Sequence, residues 1–162
     1  MNNLKLKNFL IGMFLITFFF IIDRASKLFV LNILEQQGNV DIYINNYLNI
    51  ILVWNKGIGF GLLSSENQLY YLSITLLIVI INLIIVYLIL YEKGINFFFL
   101  ILILSGSLGN LFDRLYYKAV PDFIDFHYNN YHWFIFNVAD ILITIGIIFL
   151  ITFELFKIKI NE

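Results

Sequence analysis

The stretch from Gly109 to Asp140, GNLFDRLYYKAVPDFIDFHYNNYHWFIFNVAD, places four aspartates, Asp113, Asp122, Asp125 and Asp140, between two long apolar runs. A carboxylate at the centre of a membrane helix costs on the order of 2.5–3.5 kcal/mol on insertion scales, so acids this close to apolar spans are candidates for function. Around this stretch the chain has 162 residues, of which 61% are hydrophobic, 19% aromatic and 13% charged. A soluble domain carries about 25% charged residues, so the composition is that of an integral membrane protein. A helical span needs about 20 apolar residues, and the length accommodates four spans and one small extramembrane element in a single domain, residues 1–162. The formal net charge of −1 gives no reason to expect nucleic acid as a partner. Absence of cysteine excludes disulfides, thiol nucleophiles and thiolate metal sites. Hydroxyl, carboxylate, imidazole and amine chemistry remain.

Lys5 and Lys7 precede the apolar run Phe9 to Ile22, as in a secretory signal, but no small-x-small cleavage site follows. Asp23, Arg24 and Lys27 interrupt the run and apolar residues resume through Leu31, which gives a retained first helix over about 9–31. Asp23 and Lys27, spaced i, i+4, lie on one face and can pair. From 38 to 61, Val40, Ile42 and Ile44 alternate with Asp41, Tyr43 and Asn45, and Gly57, Gly59 and Gly61 follow; this predicts a small sheet outside the bilayer core. Ser65 and Gln68 fit a capping box ahead of a second span over 69–90, inside which Asn82 is expected to make an interhelical hydrogen bond. Gly94 stops that helix. A third span runs over 95–112, with Ser105 and Gly109 as a small-xxx-small pair allowing close helix approach, and a fourth over 135–155. The expected fold is an all-α membrane protein with four transmembrane helices and a small β-sheet between helices one and two.

Four spans joined by turns put both termini on one side. Asp113 lies roughly 27 Å along helix three at 1.5 Å per residue, about the hydrocarbon thickness. Topology alone therefore brings Asp23, Asp113, Asp122 and Asp140 to the opposite face. Lys5, Lys7, Lys93, Lys157 and Lys159 lie on the terminal side, against Arg24, Lys27, Lys56, Arg114 and Lys118 on the acid side. Arg24, Lys27 and Arg114 sit beside aspartates as possible partners; discounting them places the termini in the cytoplasm. Two carboxylates about 3 Å apart cannot both ionise easily, so one can serve as general base on a water and the other as general acid. Pro121 gives Asp122 a rigid, extended approach. Asn137 with Asp140, and Asn110 with Asp113, repeat an i, i+3 spacing. Spacing alone leaves each polar cluster open as structural glue or as a site.

Asp23 with Lys27, Asn55-Lys56-Gly57-Ile58-Gly59-Phe60, Gly109-Asn110-Leu111-Phe112-Asp113-Arg114, Val120-Pro121-Asp122-Phe123 and Phe136-Asn137-Val138-Ala139-Asp140 together resemble the motifs of the bacterial lipoprotein signal peptidase family, the type II signal peptidases. The match runs through nearly the whole chain in order. The resemblance implies an intramembrane aspartic endopeptidase that cuts prolipoproteins before the diacylglyceryl-modified cysteine, without metal or cofactor, as a monomer in the bacterial cytoplasmic (inner) membrane with its site near the outer face. It implies Asp122 and Asp140 as the catalytic pair, with Asp23, Lys27, Asn55, Gly57, Asn110, Asp113, Arg114 and Asn137 supporting the site or contacting substrate. It also implies that the 38–61 region is an extracytoplasmic β-cradle. Gly59 is a departure, since many relatives have alanine there.

The motif selects Asp122 over Asp125, which is expected on a solvated loop. His127 and His132, five apart with no third ligand at a metal-site spacing, are expected to make interfacial contacts. A serine hydrolase is disfavoured because Ser26 and Lys27 are adjacent and do not face each other on a helix. A proton relay through Asp23, Asp113 and Asp140 would spread acids through the membrane depth rather than cluster them at one end. An assembly factor would leave the acids as ion-paired glue.

Overall fold

A computed structural model describes residues 3–57, 67–129 and 131–161. Four long helices, α1 (Asn3–Gln37), α2 (Gln68–Tyr91), α3 (Ile95–Tyr117) and α4 (Val138–Asn161), are each long and apolar enough to cross a membrane. Four strands, β1 (Asp41–Asn45), β2 (Leu48–Asn55), β3 (Val120–Tyr128) and β4 (Tyr131–Phe136), form one antiparallel sheet in that order. The sheet caps the end of the bundle where α1 and α3 finish and α2 and α4 begin. The expected class, four spans with a small sheet, is the observed one.

The boundaries differ in instructive ways. Helix α1 continues past Leu31 to Gln37 because Asn-Ile-Leu-Glu-Gln-Gln contains no breaker and mostly good helix formers. Val30, Ile33 and Leu34, at i, i+3 and i+4, pack on Val40 and Phe123 under the sheet, and Gly38, at φ 74, ends the helix with its N–H on the Leu34 carbonyl. Half of the sheet comes from 120–136, where the sequence reading placed a loop and the start of helix four. Strand β3 is buried on both faces along most of its length, so it lacks the alternation that marks a half-exposed strand. Strand β1 does alternate, yet Ile42 and Ile44 are both exposed because it forms the sheet's edge. Asn67, not Ser65, caps α2, accepting from the N–H groups of Leu69 and Tyr70; Ser65, Gly59 and Gly61 lie outside the described residues. Gly94, at φ 67, begins α3, while α2 already ends at Glu92 in extended conformation.

Helix α3 touches the other three helices and is the most buried of the four spans. Ile85, Leu100, Ile103 and Leu104 form the apolar core between α2 and α3, joined by Ile16 and Leu150. Close approach to α1 and α4 rests on glycine, as the small-residue pattern suggested, though on a different pair. A methyl group on Gly109 would sit 2.5 Å from Asp23 Oδ2, and one on Gly106 would collide with the Ala139 carbonyl oxygen. Ser105 instead bonds its hydroxyl to Ile101 O, 2.6 Å away on its own helix. Asn82 is buried with neither amide atom hydrogen-bonded among the described residues, so the expected interhelical bond is not made.

Gly106→Ala should therefore lower stability by about 1–3 kcal/mol, the usual range for overpacking, because the obstruction is backbone and cannot rotate away. Ser105→Ala should be nearly neutral, since Ile101 O keeps its helical donor. Thermal unfolding of the two purified variants in one detergent checks the contrast.

Candidate active site

Of the buried aspartates at the sheet end of the bundle, two are neutralised by cations. Lys27 Nζ, with its side chain fully buried, donates to Asp23 Oδ2 at 2.9 Å and to Asp113 Oδ2 at 2.6 Å. Arg24 Nη1 lies 2.6 Å from Asp113 Oδ1, and its Nη2 donates to Asp113 Oδ2 at 2.8 Å. The expected Asp23–Lys27 pair is thus part of a network joining α1 to α3. Asp23 Oδ1 also accepts the Ala139 N–H at 3.0 Å. This bond ties the network to the first turn of α4, whose free N–H groups favour a negative charge.

Asp122 and Asp140 are held differently. Asn137 stands at the N-cap of α4: its side-chain oxygen accepts the Asp140 N–H at 3.1 Å, and its own N–H donates to Asp140 Oδ2 at 3.2 Å. That reciprocal pair is a capping box with aspartate in the place of the usual Glu or Gln. The amide nitrogen of the same Asn137 donates to Asp122 Oδ1 at 2.6 Å. One residue therefore touches both acids. Asn55 Nδ2 donates to Asp122 Oδ2 at 2.8 Å, and Asn110 Nδ2 to Asp140 Oδ1 at 2.8 Å. Lys27 Nζ reaches Asn110 Oδ1 at 3.0 Å, fixing which way that amide faces. Each of the four carboxylate oxygens thus receives one neutral donor, and among the described residues neither acid is ion-paired with a lysine or arginine.

Burial pushes the Asp122 carboxyl up to about 7, with repulsion from the nearby Asp140 adding to the rise and the amides of Asn55 and Asn137 opposing it. Gly57 lies beside this pair: its N–H donates to Asn55 Oδ1 at 2.8 Å, and its carbonyl accepts from Arg114 Nη2. Arg114 is 3% exposed, and its Nε and Nη1 have no hydrogen-bond partner among the described residues. Its guanidinium lies over the Tyr71 ring at 5.7 Å, and the Tyr71 hydroxyl donates to the Arg114 carbonyl. Tyr71 was missed in the sequence, where an aromatic residue in an apolar span carries no distinguishing signal.

The structure thus gathers all ten site residues expected from the sequence at one end of the bundle. Asp125 is the exception to its own expectation: it is fully buried on β3, not on a solvated loop. Three residues from Asp122 on a regular strand, it faces the other side of the sheet. His127 is likewise buried on β3, and it stacks on His132 of β4 at 5.4 Å.

The amino-acid sequence matches the family model described as Signal peptidase (SPase) II over residues 15–156. A lipoprotein signal peptidase of Pelagibacter ubique (strain HTCC1062) is 49% identical over 156 residues, covering 96% of this chain and 94% of that one. Another, of Anaplasma phagocytophilum (strain HZ), is 36% identical over 91% of this chain and 94% of its own length. A bacterial membrane enzyme solved by the in meso method at 2.3 Å resolution superposes with a TM-score of 0.70 at 27% identity, covering 93% of this chain and 90% of that one. Fold, site and similarity together define a multi-pass membrane peptidase of the aspartic type. The chain belongs to the signal peptidase II family.

Removing the lysine should expose what the cation network contributes. Lys27→Met leaves Asp23 and Asp113 buried with one positive charge fewer, and is expected to cost about 3–5 kcal/mol, read as a large fall in the unfolding midpoint in detergent. Asp122 has the opposite character. Its folded-state value of about 7 lies above the ordinary 3.8, so the folded protein holds a proton that the unfolded chain has released, and stability contributed by this group falls as pH rises from about 4 to 7. Asp122→Asn should raise the unfolding temperature at pH 8 and change it much less at pH 4, as a pH series of melts would show.

Proposed function

We propose that Asp122 and Asp140 together activate a water molecule that cleaves prolipoproteins on the amino side of the diacylglyceryl-modified cysteine. The observation that carries this reading is the division among the buried acids. Asp23 and Asp113 are satisfied by Lys27 and Arg24, whereas Asp122 and Asp140 receive only neutral donors among the described residues and are linked through Asn137. A carboxylate beside a cation is favoured in its charged form. An acid pair held by amides can share a proton, which is what general acid–base hydrolysis requires.

In the reaction, one carboxylate takes a proton from water as the water oxygen attacks the scissile carbonyl carbon. The protonated partner delivers its proton to the departing amide nitrogen as the C–N bond breaks, so the pair ends with one proton, as it began. Asn55, Asn110 and Asn137 hold the carboxylates in register without neutralising them. Arg114, buried beside Gly57 with two nitrogens free of hydrogen bonds among the described residues, supplies donors for a backbone carbonyl of the substrate. The exposed apolar residues Ile42 and Ile44 of β1 and Val53 of β2, the last in register with Asp122, offer a surface for the lipid-bearing substrate beside the site. The chain acts as one peptidase domain and as a monomer, in the bacterial cytoplasmic membrane, with its termini in the cytoplasm and its site at the outer face. The distribution of lysines supports that orientation once the cations engaged near the acids, Arg24, Lys27 and Arg114, are set aside.

Asp122→Asn and Asp140→Asn should each reduce cleavage of a diacylglyceryl-modified prolipoprotein about 10²–10⁴-fold or more, the scale of general acid–base catalysis, while the variants remain folded in detergent. The wild-type rate should fall as pH rises past about 7, where the pair loses its shared proton. Mass analysis of the cleaved peptide reads both the rate and the cleavage position. Full turnover by either variant would overturn the assignment.

A further inference from the structure

On the face of β3 opposite Asp122, three side chains converge that the peptidase reaction does not use. Asp125 and His127 alternate along the strand and so share a face, and His132 is the register partner of His127 across β4. His132 Nδ1 lies 2.9 Å from both Asp125 oxygens, and His127 Nδ1 lies 3.4 Å from Asp125 Oδ2. One donor atom from each of the three lies within 4.8 Å of the other two. His127 is 8% exposed, and its Nδ1 makes no hydrogen bond among the described residues despite its closeness to the carboxylate. Asn49, the register partner of Asp125 on β2, has a side-chain oxygen that is also buried without a hydrogen-bond partner.

We infer that Asp125, His127 and His132 form a binding site for a divalent transition-metal ion of the zinc class at the β3–β4 hairpin. Zinc bonds of about 2.0–2.1 Å to nitrogen and 2.0–2.2 Å to oxygen in a tetrahedron set donor atoms about 3.3 Å apart. The contacts of 2.9 and 3.4 Å bracket that separation. Two imidazoles and one carboxylate are a donor set suited to zinc, cobalt, nickel and copper rather than to calcium or magnesium, which take oxygen ligands. A cation between the donors would neutralise the fully buried Asp125 and satisfy the unpartnered His127 nitrogen at once. His132 is half exposed at the mouth of the cluster, which provides an entry path and leaves a coordination position for water. The sequence spacing concealed the third ligand, because Asp125 joins the histidines only once β3 is extended and paired with β4.

The chain contains only two histidines and no cysteine, so no other nitrogen- or sulfur-rich site competes. The full-length protein, purified in detergent through a tag without histidine and stripped with chelator, is titrated with Co²⁺ and followed by visible absorption. One equivalent should bind with the intense bands of a low-coordinate cobalt site. Zn²⁺ should displace it and raise the melting temperature. His132→Gln, at the half-exposed position, and His127→Gln should each weaken binding at least tenfold and remove the thermal shift. Failure of the wild-type protein to take up one equivalent, or unchanged affinity in His132→Gln, would overturn the proposal and leave the cluster as a carboxylate–imidazole ion pair. These readouts do not depend on peptidase activity.

Discussion

The Asp23 carboxylate is the constraint on which the rest of the active end depends. One of its oxygens accepts the Lys27 ammonium and the other accepts the Ala139 N–H, so a single side chain from the middle of α1 fixes both α3, through Lys27 and Asp113, and the first turn of α4. Burying such a group without partners would be prohibitive; burying it with a lysine and a helix N-terminus is tolerable, and the geometry that satisfies it is narrow. Gly106 and Gly109 are the steric counterpart, since α4 and Asp23 can come this close to α3 only where no side chain intervenes.

From that docking the paired acids follow. With the α4 start held against α3, Asp140 meets Asn110, and Asn137, serving as the helix cap, reaches across to Asp122 on β3. A capping box is an ordinary device for satisfying helix N–H groups. Here it also aims a carboxylate and links it to a second one. The arrangement separates two ways of holding a buried acid: beside cations that join α1 to α3, and among neutral amides.

The sheet contributes rigidity and placement. Its central pair, β2 and β3, brings Asn55 opposite Val120 and next to Asp122, so one donor to Asp122 comes from a strand end and the other, Asn137, from the single residue between β4 and α4. Its two faces serve different groups, Asp122 on one and the Asp125, His127 and His132 cluster on the other. The alternation of side chains along a single extended strand is enough to keep these chemistries apart.

The spans, the small sheet after α1 and the expected gathering of acids at one end were legible in the sequence because they rest on local quantities: runs of apolar residues, period-two alternation, and the end of a helix on which each acid falls. The hairpin of β3 and β4 was not legible, because a strand buried on both faces loses its alternation, and neither was the extension of α1, whose last turns are stabilised by packing of Val30, Ile33 and Leu34 beneath the sheet. Nor could the sequence divide the buried acids into ion-paired and amide-held sets. That division depends on which cations lie within hydrogen-bond reach after folding, and Lys27, placed by spacing beside Asp23, is shared with Asp113 only because α1 and α3 pack side by side. The sequence by itself determined which residues were available; the tertiary structure decided which of them share a hydrogen bond, a cation or a face, because those relations are distances between segments far apart in the chain.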